Sequence, residues 1–254
     1  MDRSAAHMVD VVLQMNSKSI YIGWDPREID AFNVARHSVL RHMTQSIPVN
    51  SLRLDALIES GLYKRPIEYR GDNQMWDPIS EAPMSTQHAN ARFLTPHLAK
   101  TGWALFMDGD MLARADLSKV FEGLDDEKAV YCVKHNHAPP VGIKMDGVMQ
   151  TQYARKNWSS FVLFNCAHEA NNGLTLDIIN MLPGRDLHRF LWLDDDEIGE
   201  LDPKWNFLVG HSDSRILNPW VVHFTSGTPD MPGYENCAFA DEWRAELARI
   251  EVAA

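Results

Sequence analysis

The chain of 254 residues carries 24 Lys and Arg against 35 Asp and Glu, a formal net charge of -11 with histidines neutral. That balance argues against non-specific nucleic-acid binding, which draws its affinity from a cationic surface, and against docking on anionic lipid through bulk charge. At 45% hydrophobic and 23% charged residues, the composition is that of a globular protein, read as a flexible extension over 1–17 and a single domain over 18–254. Cys132, Cys166 and Cys237 are far apart and form no C-x-x-C pair, so a disulfide framework is not expected and a reducing compartment is. Met1 to Ser17 lacks the apolar run of a leader, and no segment reaches the roughly 20 apolar residues of a membrane span. A cytoplasmic protein with at most peripheral membrane contact is the expectation.

Ser17 to Trp24 predicts a short buried strand. Asp25-Pro-Arg-Glu28 follows as a helix start, with an N-cap acid, proline at the first helical position and glutamate at the third. Ile29, Phe32, Ala35, Val39 and Met43 then recur at the spacing of one buried helical stripe. A second strand is expected over Ile47 to Leu54. Tyr63 to Met84, rich in Pro, Gly, Asp and Asn, reads as a long loop with little regular structure, the kind that carries function. Ser85 to Ala99 reads as a helix kinked or shortened at Pro96. Trp103 to Met107 is apolar on both faces, the pattern of a central parallel strand covered by helices, and it runs into Asp108-Gly-Asp110. Ala129 to His135 reads as a strand, Ala138 to Asn157 as a second long loop, Ser159 to Asn165 as a strand and Leu174 to Met181 as a helix. Trp220 to Phe224 is a late strand, and Ala240 to Val252 a closing amphipathic helix. Alternating strands and helices argue an α/β fold with a mixed sheet in its second half.

Asp108-Gly-Asp110 is the sharpest local signal. In extended backbone, side chains two apart project to one face, so both carboxylates can approach a single divalent cation while Gly109 admits close contact with the main chain. A plain polar turn is the other reading. Six acids crowd Leu193 to Asp202; they make either a solvated loop or a cleft wall in which Asp195 or Asp196 faces a sugar's developing positive charge. His223 sits in an apolar strand, the place of a hydrogen-bonded core histidine, yet its turn-rich exit through Gly227 offers amides to an anion. His135 and His137 find no third ligand for zinc. Lys144, Lys156, Asn157, Ser159 and Asn165 form a basic, amide and hydroxyl set suited to phosphate and sugar or to an ordinary surface. Of eight tryptophans, Trp24, Trp76 and Trp158 stand beside loops where a ring can stack on a ligand.

In this order the segments resemble the GT-A nucleotide-sugar glycosyltransferases, and more narrowly bacterial proteins similar to glycosyltransferase family 8. The resemblance is carried by Tyr21 to Glu28, Ala91 to Pro96, Leu105 to Asp110, Lys156 to Ser160, Leu163 to Asn165, Leu193 to Gly199 and His223. It implies a GT-A fold, Rossmann-like, with a mostly parallel central sheet flanked by helices. It further implies that Ile22, Gly23, Trp24, Asp25 and Arg27 hold the base and ribose, and that Arg92 approaches the diphosphate. Asp108, Asp110 and His223 would ligate Mn²⁺ or Mg²⁺, and Asp195 and Asp196 would lie near the anomeric carbon. The implied activity is metal-dependent transfer of a hexosyl group, with retention, from a nucleotide-diphospho-sugar (UDP-sugar favoured) to a carbohydrate or glycolipid acceptor. Two departures stand out: the late glycine, Gly227, falls one place beyond the family's position, and Thr228-Pro-Asp-Met-Pro232 lacks its lysine. Lys144 or Lys156 is the expected replacement. A haloacid-dehalogenase-type phosphatase with Asp108 as nucleophile and a non-catalytic sugar-binding protein are the alternatives.

Overall fold

The computed structural model describes residues 17–71, 73–135, 142–143, 149–150, 155 and 158–253. Its main sheet contains β1 (Lys18–Gly23), β2 (Val49–Leu52), β6 (Trp103–Met107), β8 (Val130–Cys132), β11 (Phe161–Asn165) and β12 (Ile198–Glu200), in the order β12-β8-β11-β6-β1-β2. β1 pairs parallel with both β2 and β6, β12 pairs parallel with β8, and β11 runs antiparallel to its two neighbours. The expectation of a mostly parallel sheet flanked by helices holds. Alternation explains how the central strands are buried on both sides: Leu105, Met107, Phe161 and Leu163 join one apolar cluster, while Phe106, Val162 and Phe164 join the other. All seven are wholly inaccessible. Each contributes about 1.5–3 kcal/mol of burial, which is why this part of the sheet was readable as apolar runs.

Helix α1 (Ile29–His42) follows β1, but it begins later than the sequence signals suggest. Asp25 is not its N-cap. The Asp25 carboxylate instead accepts from the Arg27 amide and guanidinium and from the Gln87 amide. The buried face of α1 starts at Ala31, so Ile29, in the first turn, is 49% exposed. A short α2 (Leu54–Glu59) follows β2. The stretch expected to be an irregular loop holds a three-stranded antiparallel sheet of β3 (Glu68–Arg70), β4 (Gln74–Asp77) and β5 (Ala82–Pro83). Its first turn uses positive φ at Gly71 and Asn73. The alternation is disguised, because the inward positions of β4 are Met75 and an acid, Asp77. The continuous helix expected from Ser85 is replaced by turns, a 3₁₀ turn at Ala91–Leu94 and α3 (Thr95–Ala99). Pro96 lies in the first turn of α3, where its missing amide costs no hydrogen bond.

Beyond Asp110, β7 (Met111–Ala113) leaves the main sheet for a small one with β13 (Phe207–Leu208) and β14 (Val221–His223). β9 (Gly142–Ile143) and β10 (Met149–Gln150) pair with each other. Helices α4 (Leu176–Met181) and α5 (Gly184–His188) lie between β11 and β12, and α6 (Ala240–Ala253) closes the chain. Trp243 of α6 packs with Val34, Leu112, Val222 and Phe224. Buried Glu246 is clamped by His37, Arg41 and Arg249 at 2.7–2.9 Å. Burial alone would raise the Glu246 carboxyl; hydrogen bonds from Arg41 and His37 outweigh that and hold it below the usual range. The clamp fixes α6 on α1, and with it the strand that carries His223. Among the described residues, no helix is long and apolar enough to cross a membrane.

Candidate active site

A cleft of about 700 Å³ opens at the carboxyl ends of β1 and β6, where open α/β sheets bind ligands. Its floor is built by close backbone approach. A side chain at Gly109 would strike the Gly23 carbonyl oxygen at 2.4 Å, and one at Gly23 would strike the His88 ring at 2.5 Å. The Asp-Gly-Asp turn is therefore pressed onto the end of β1. His223 arrives from far along the chain because β14 pairs antiparallel with β7, His223 opposite Met111.

Asp108, Asp110 and His223 place one ligand atom each within 4.8 Å of one another. His223 Nε2 is 3.3 Å from Asp110 Oδ1 and 3.9 Å from Asp108 Oδ2. The proton on the imidazole is assigned from the hydrogen-bond network. Asn206, fully buried, gives its amide NH₂ to Ser160 Oγ at 2.9 Å, so its carbonyl faces His223 Nδ1 at 3.0 Å. With Nδ1 donating, Nε2 presents a lone pair to two carboxylates, an arrangement that repels unless a cation lies between them. Asp110 Oδ1 is buried with no hydrogen-bond partner. Two carboxylates, an oriented imidazole and an unsatisfied oxygen fit a divalent metal ion. Burial works to protonate Asp108, but the Arg92 guanidinium and then the His88 contact outweigh it and hold the carboxyl well below the usual range. Arg92 Nη2 lies 2.9 Å from Asp108, and its other nitrogens donate to the Ala89 and Ser159 carbonyls at 2.9 and 3.0 Å. This arginine, expected at the diphosphate, is engaged in holding Asp108 and the Ser159 backbone.

The remaining expected residues divide by strand direction. β11 is antiparallel to β6, so Ser159, just before it, comes to the cleft, where its hydroxyl meets His188 Nδ1 at 2.7 Å. For the same reason Asn165 ends at the opposite edge, bonded to the Asp126 carbonyl. β12 points the same way as β6, so Asp195 and Asp196, which precede it, lie at the end of the sheet away from the cleft. They are exposed; Asp195 is ion-paired with Arg155, and the Asp196 carbonyl accepts from Lys128. The topology does not bring this acidic pair to the anomeric position expected of it. Of the base and ribose set, Arg27 lines the cleft. Gly23 lies under His88, Trp24 stacks beneath Arg53 at 4.0 Å, and Asp25 is buried behind Arg27. Gly227 is in the wall with Thr225 and Thr228. Trp76 stacks under Arg70, and Trp158 donates to the His135 carbonyl. Lys144, Lys156, Asn157 and His137 lie outside the described residues.

Several residues in or behind the cleft wall carried no sequence signal. His88, Asn206 and His188 act only through distant neighbours. Glu28, read as a helix-start residue, faces the metal corner, and its carboxyl is pushed up to about 8 by burial, then by the charges of Asp110 and Asp25. A raised carboxyl pKa makes folding strongest below the unfolded value and weakens it as pH climbs to the folded one. The metal-free protein is thus expected to lose on the order of 5 kcal/mol between about pH 4.5 and 8, and Glu28→Gln to abolish most of that loss in EDTA. Equal pH slopes for the two proteins in urea titrations would refute the assignment. Likewise Asn206→Leu is expected to weaken Mn²⁺ affinity about 10–100-fold by releasing the His223 ring; calorimetric titration of metal alone checks it.

This sheet order, with an Asp-x-Asp at the end of a buried central strand and a histidine brought to it from a late strand, is the GT-A glycosyltransferase fold. The bifunctional glycosyltransferase WbbM superposes with a TM-score of 0.58 at 12% identity, over 92% of this chain and 50% of that one. GlyE of Streptococcus pneumoniae TIGR4 gives 0.56 at 15% identity, over 91% and 60%. The galactosyltransferase LgtC gives 0.55 at 13% identity, over 91% and 95%. The chain thus spans half to three-fifths of the WbbM and GlyE chains and nearly all of LgtC. It belongs to the family of Protein CDI of Arabidopsis thaliana, with which it is 41% identical over 235 residues, 90% of this chain and 85% of that protein. No protein-family profile matches it.

Proposed function

We propose that the protein is a metal-dependent glycosyltransferase, moving a hexosyl group from a nucleotide-diphospho-sugar, UDP-sugar favoured, to a hydroxyl of a carbohydrate or glycolipid acceptor with retention. The observation that carries this reading is the Asp108, Asp110 and His223 cluster on the floor of the cleft in a GT-A fold. LgtC, of the same fold, has been crystallised with donor and acceptor sugar analogues, which supports placing both substrates in one cleft here. A cytoplasmic setting and a single catalytic domain over 18–254 belong to the same proposal.

As the bond from the sugar to the diphosphate breaks, negative charge grows on the leaving oxygen. A bound Mn²⁺ or Mg²⁺ supplies Lewis-acid neutralisation of that charge in place of a proton. The chain's part is to keep the ligand set fixed before the reaction. Arg92 and His88 keep Asp108 ionised and immobile, and Asn206 holds the His223 lone pair toward the cation position. Ser159 is fixed by His188, so its hydroxyl meets the substrate already oriented. Thermal shift with UDP and GDP tests the proposal. Stabilisation is expected only when Mn²⁺ or Mg²⁺ is present, and a shift indifferent to metal would overturn it. Proton NMR of the product anomer checks retention.

A further inference from the structure

We infer that Arg185, the second residue of α5, is the cleft's cationic contact for the diphosphate of the donor. This rests on the transferase reading above. Among the described residues, three arginines and no lysine line the cleft: Arg27, Arg92 and Arg185. Two of them are spent on the protein itself. Arg27 makes a paired contact with the Asp25 carboxylate and donates to the Ser85 carbonyl at 2.8 Å. Arg92 is divided among Asp108, Ala89 and Ser159. The Arg185 guanidinium alone has no side-chain hydrogen bond or ion pair among the described residues. Its sequence neighbour Asp186 does not claim it, being bonded to Arg189 at 3.0 Å.

The short helix that carries Arg185 is fixed from behind. The Gly184 amide donates to Ser80 Oγ at 2.7 Å, Ser80 donates in turn to Asp77, and Asp77 is buried in an ion pair with Arg65 and accepts from Asn90 at 3.1 Å. A side chain at Gly184 would meet Asn90 Oδ1 at 2.6 Å, so the helix start is seated directly on this network. At its other end His188 is held by Ser159 and set edge-on against Phe93, ring centres 5.2 Å apart. A helix anchored at both ends fixes the backbone point from which the guanidinium reaches the cleft, so only the side chain itself remains to be ordered by the ligand.

Charge counting gives the ligand. Asp108 and Asp110 contribute two negative charges and a sugar-linked diphosphate two more; a divalent cation and Arg92 return three. At least one positive charge is lacking, and the exposed Glu81 of the lining enlarges the deficit, as does Glu28 when ionised. Thr228-Pro-Asp-Met-Pro232, which lines the cleft through Thr228 and Met231, holds no cation. Arg185 supplies positive charge where the balance lacks it and, as a planar fork of donors, suits two phosphate oxygens at once.

Mn²⁺-pyrophosphate, which removes base and sugar from the question, is the probe, titrated calorimetrically beside Mn²⁺ alone. Arg185→Ala is expected to weaken Mn²⁺-pyrophosphate binding about tenfold, Arg185→Lys to restore part of it, and neither to change Mn²⁺ binding or the melting temperature of the unliganded protein. Unchanged pyrophosphate affinity in Arg185→Ala, with the unsubstituted protein binding normally, overturns the inference and leaves the transferase reading standing. If the unsubstituted protein binds pyrophosphate no better with Mn²⁺ than without, the transferase reading itself fails and this inference with it.

Discussion

Asp110→Ala is expected to erase the metal-dependent stabilisation by nucleoside diphosphate and to lower transfer by about 10²–10³-fold. The expectation follows from the geometry of the corner. Asp110 Oδ1 is buried without a hydrogen-bond donor and lies 3.3 Å from an imidazole nitrogen that carries a lone pair. Its free energy is recovered only when a cation binds, so its removal costs the apo protein little and the metal complex much. A ligand at a hundred times its Kd stabilises a fold by about 2.7 kcal/mol. For a chain of this size that is a shift of about 5–10 °C, and the variant should show none of it. Asp110→Asn separates charge from shape. It keeps the volume and should still lose most of the shift. Retention of the full shift by either variant would remove Asp110 from the ligand set.

The largest effect on stability is expected at Arg65. Arg65→Met leaves the Asp77 carboxylate in the core without its counter-charge and takes two donors from the Ile179 and Leu182 carbonyls, each now bonded at 2.7 Å. Removing one partner of a buried pair costs about 3–5 kcal/mol, here a fall of about 10 °C in melting temperature. The double substitution Arg65→Met with Asp77→Leu should recover a good part of the loss, since no charge is then stranded. Urea titration of the three variants checks this, and a single-variant cost below about 1 kcal/mol would show the pair to be solvated. Loosening this network also frees the start of α5, so the fall in stability should be accompanied by weaker Mn²⁺-pyrophosphate binding.

These two sites also mark what the sequence reveals and what it hides. The Asp108-Gly-Asp110 turn was legible because an apolar strand precedes it and both features are local. β1, β6 and β11 were legible because both of their faces are apolar. β4 was not: one of its two inward positions is Asp77, whose partner Arg65 stands before the sheet begins, so the strand reads as loop. Asp195 and Asp196 were expected in the cleft from the family resemblance, but their location depends on the direction of β12, and direction is set by pairing with β8 rather than by any nearby residue. His88, Asn206 and Arg185 are of the same kind. Their chemistry arises from neighbours far away in sequence, and no local pattern announces it.

The pairing of β7 with β14 has a consequence for how the protein matures. The metal corner draws two ligands from the middle of the chain and the third from a strand held in place by α6, the last helix. Until β14 pairs with β7 and β13, the two carboxylates have no imidazole opposite them, and α6 covers that strand through Trp243. A cation held by all three groups would therefore need the late strand in place, and a chain ending before β14 would lack one of the three ligands. Free divalent ion in the cell would then act as a ratchet, drawing the finished form out of the folding equilibrium.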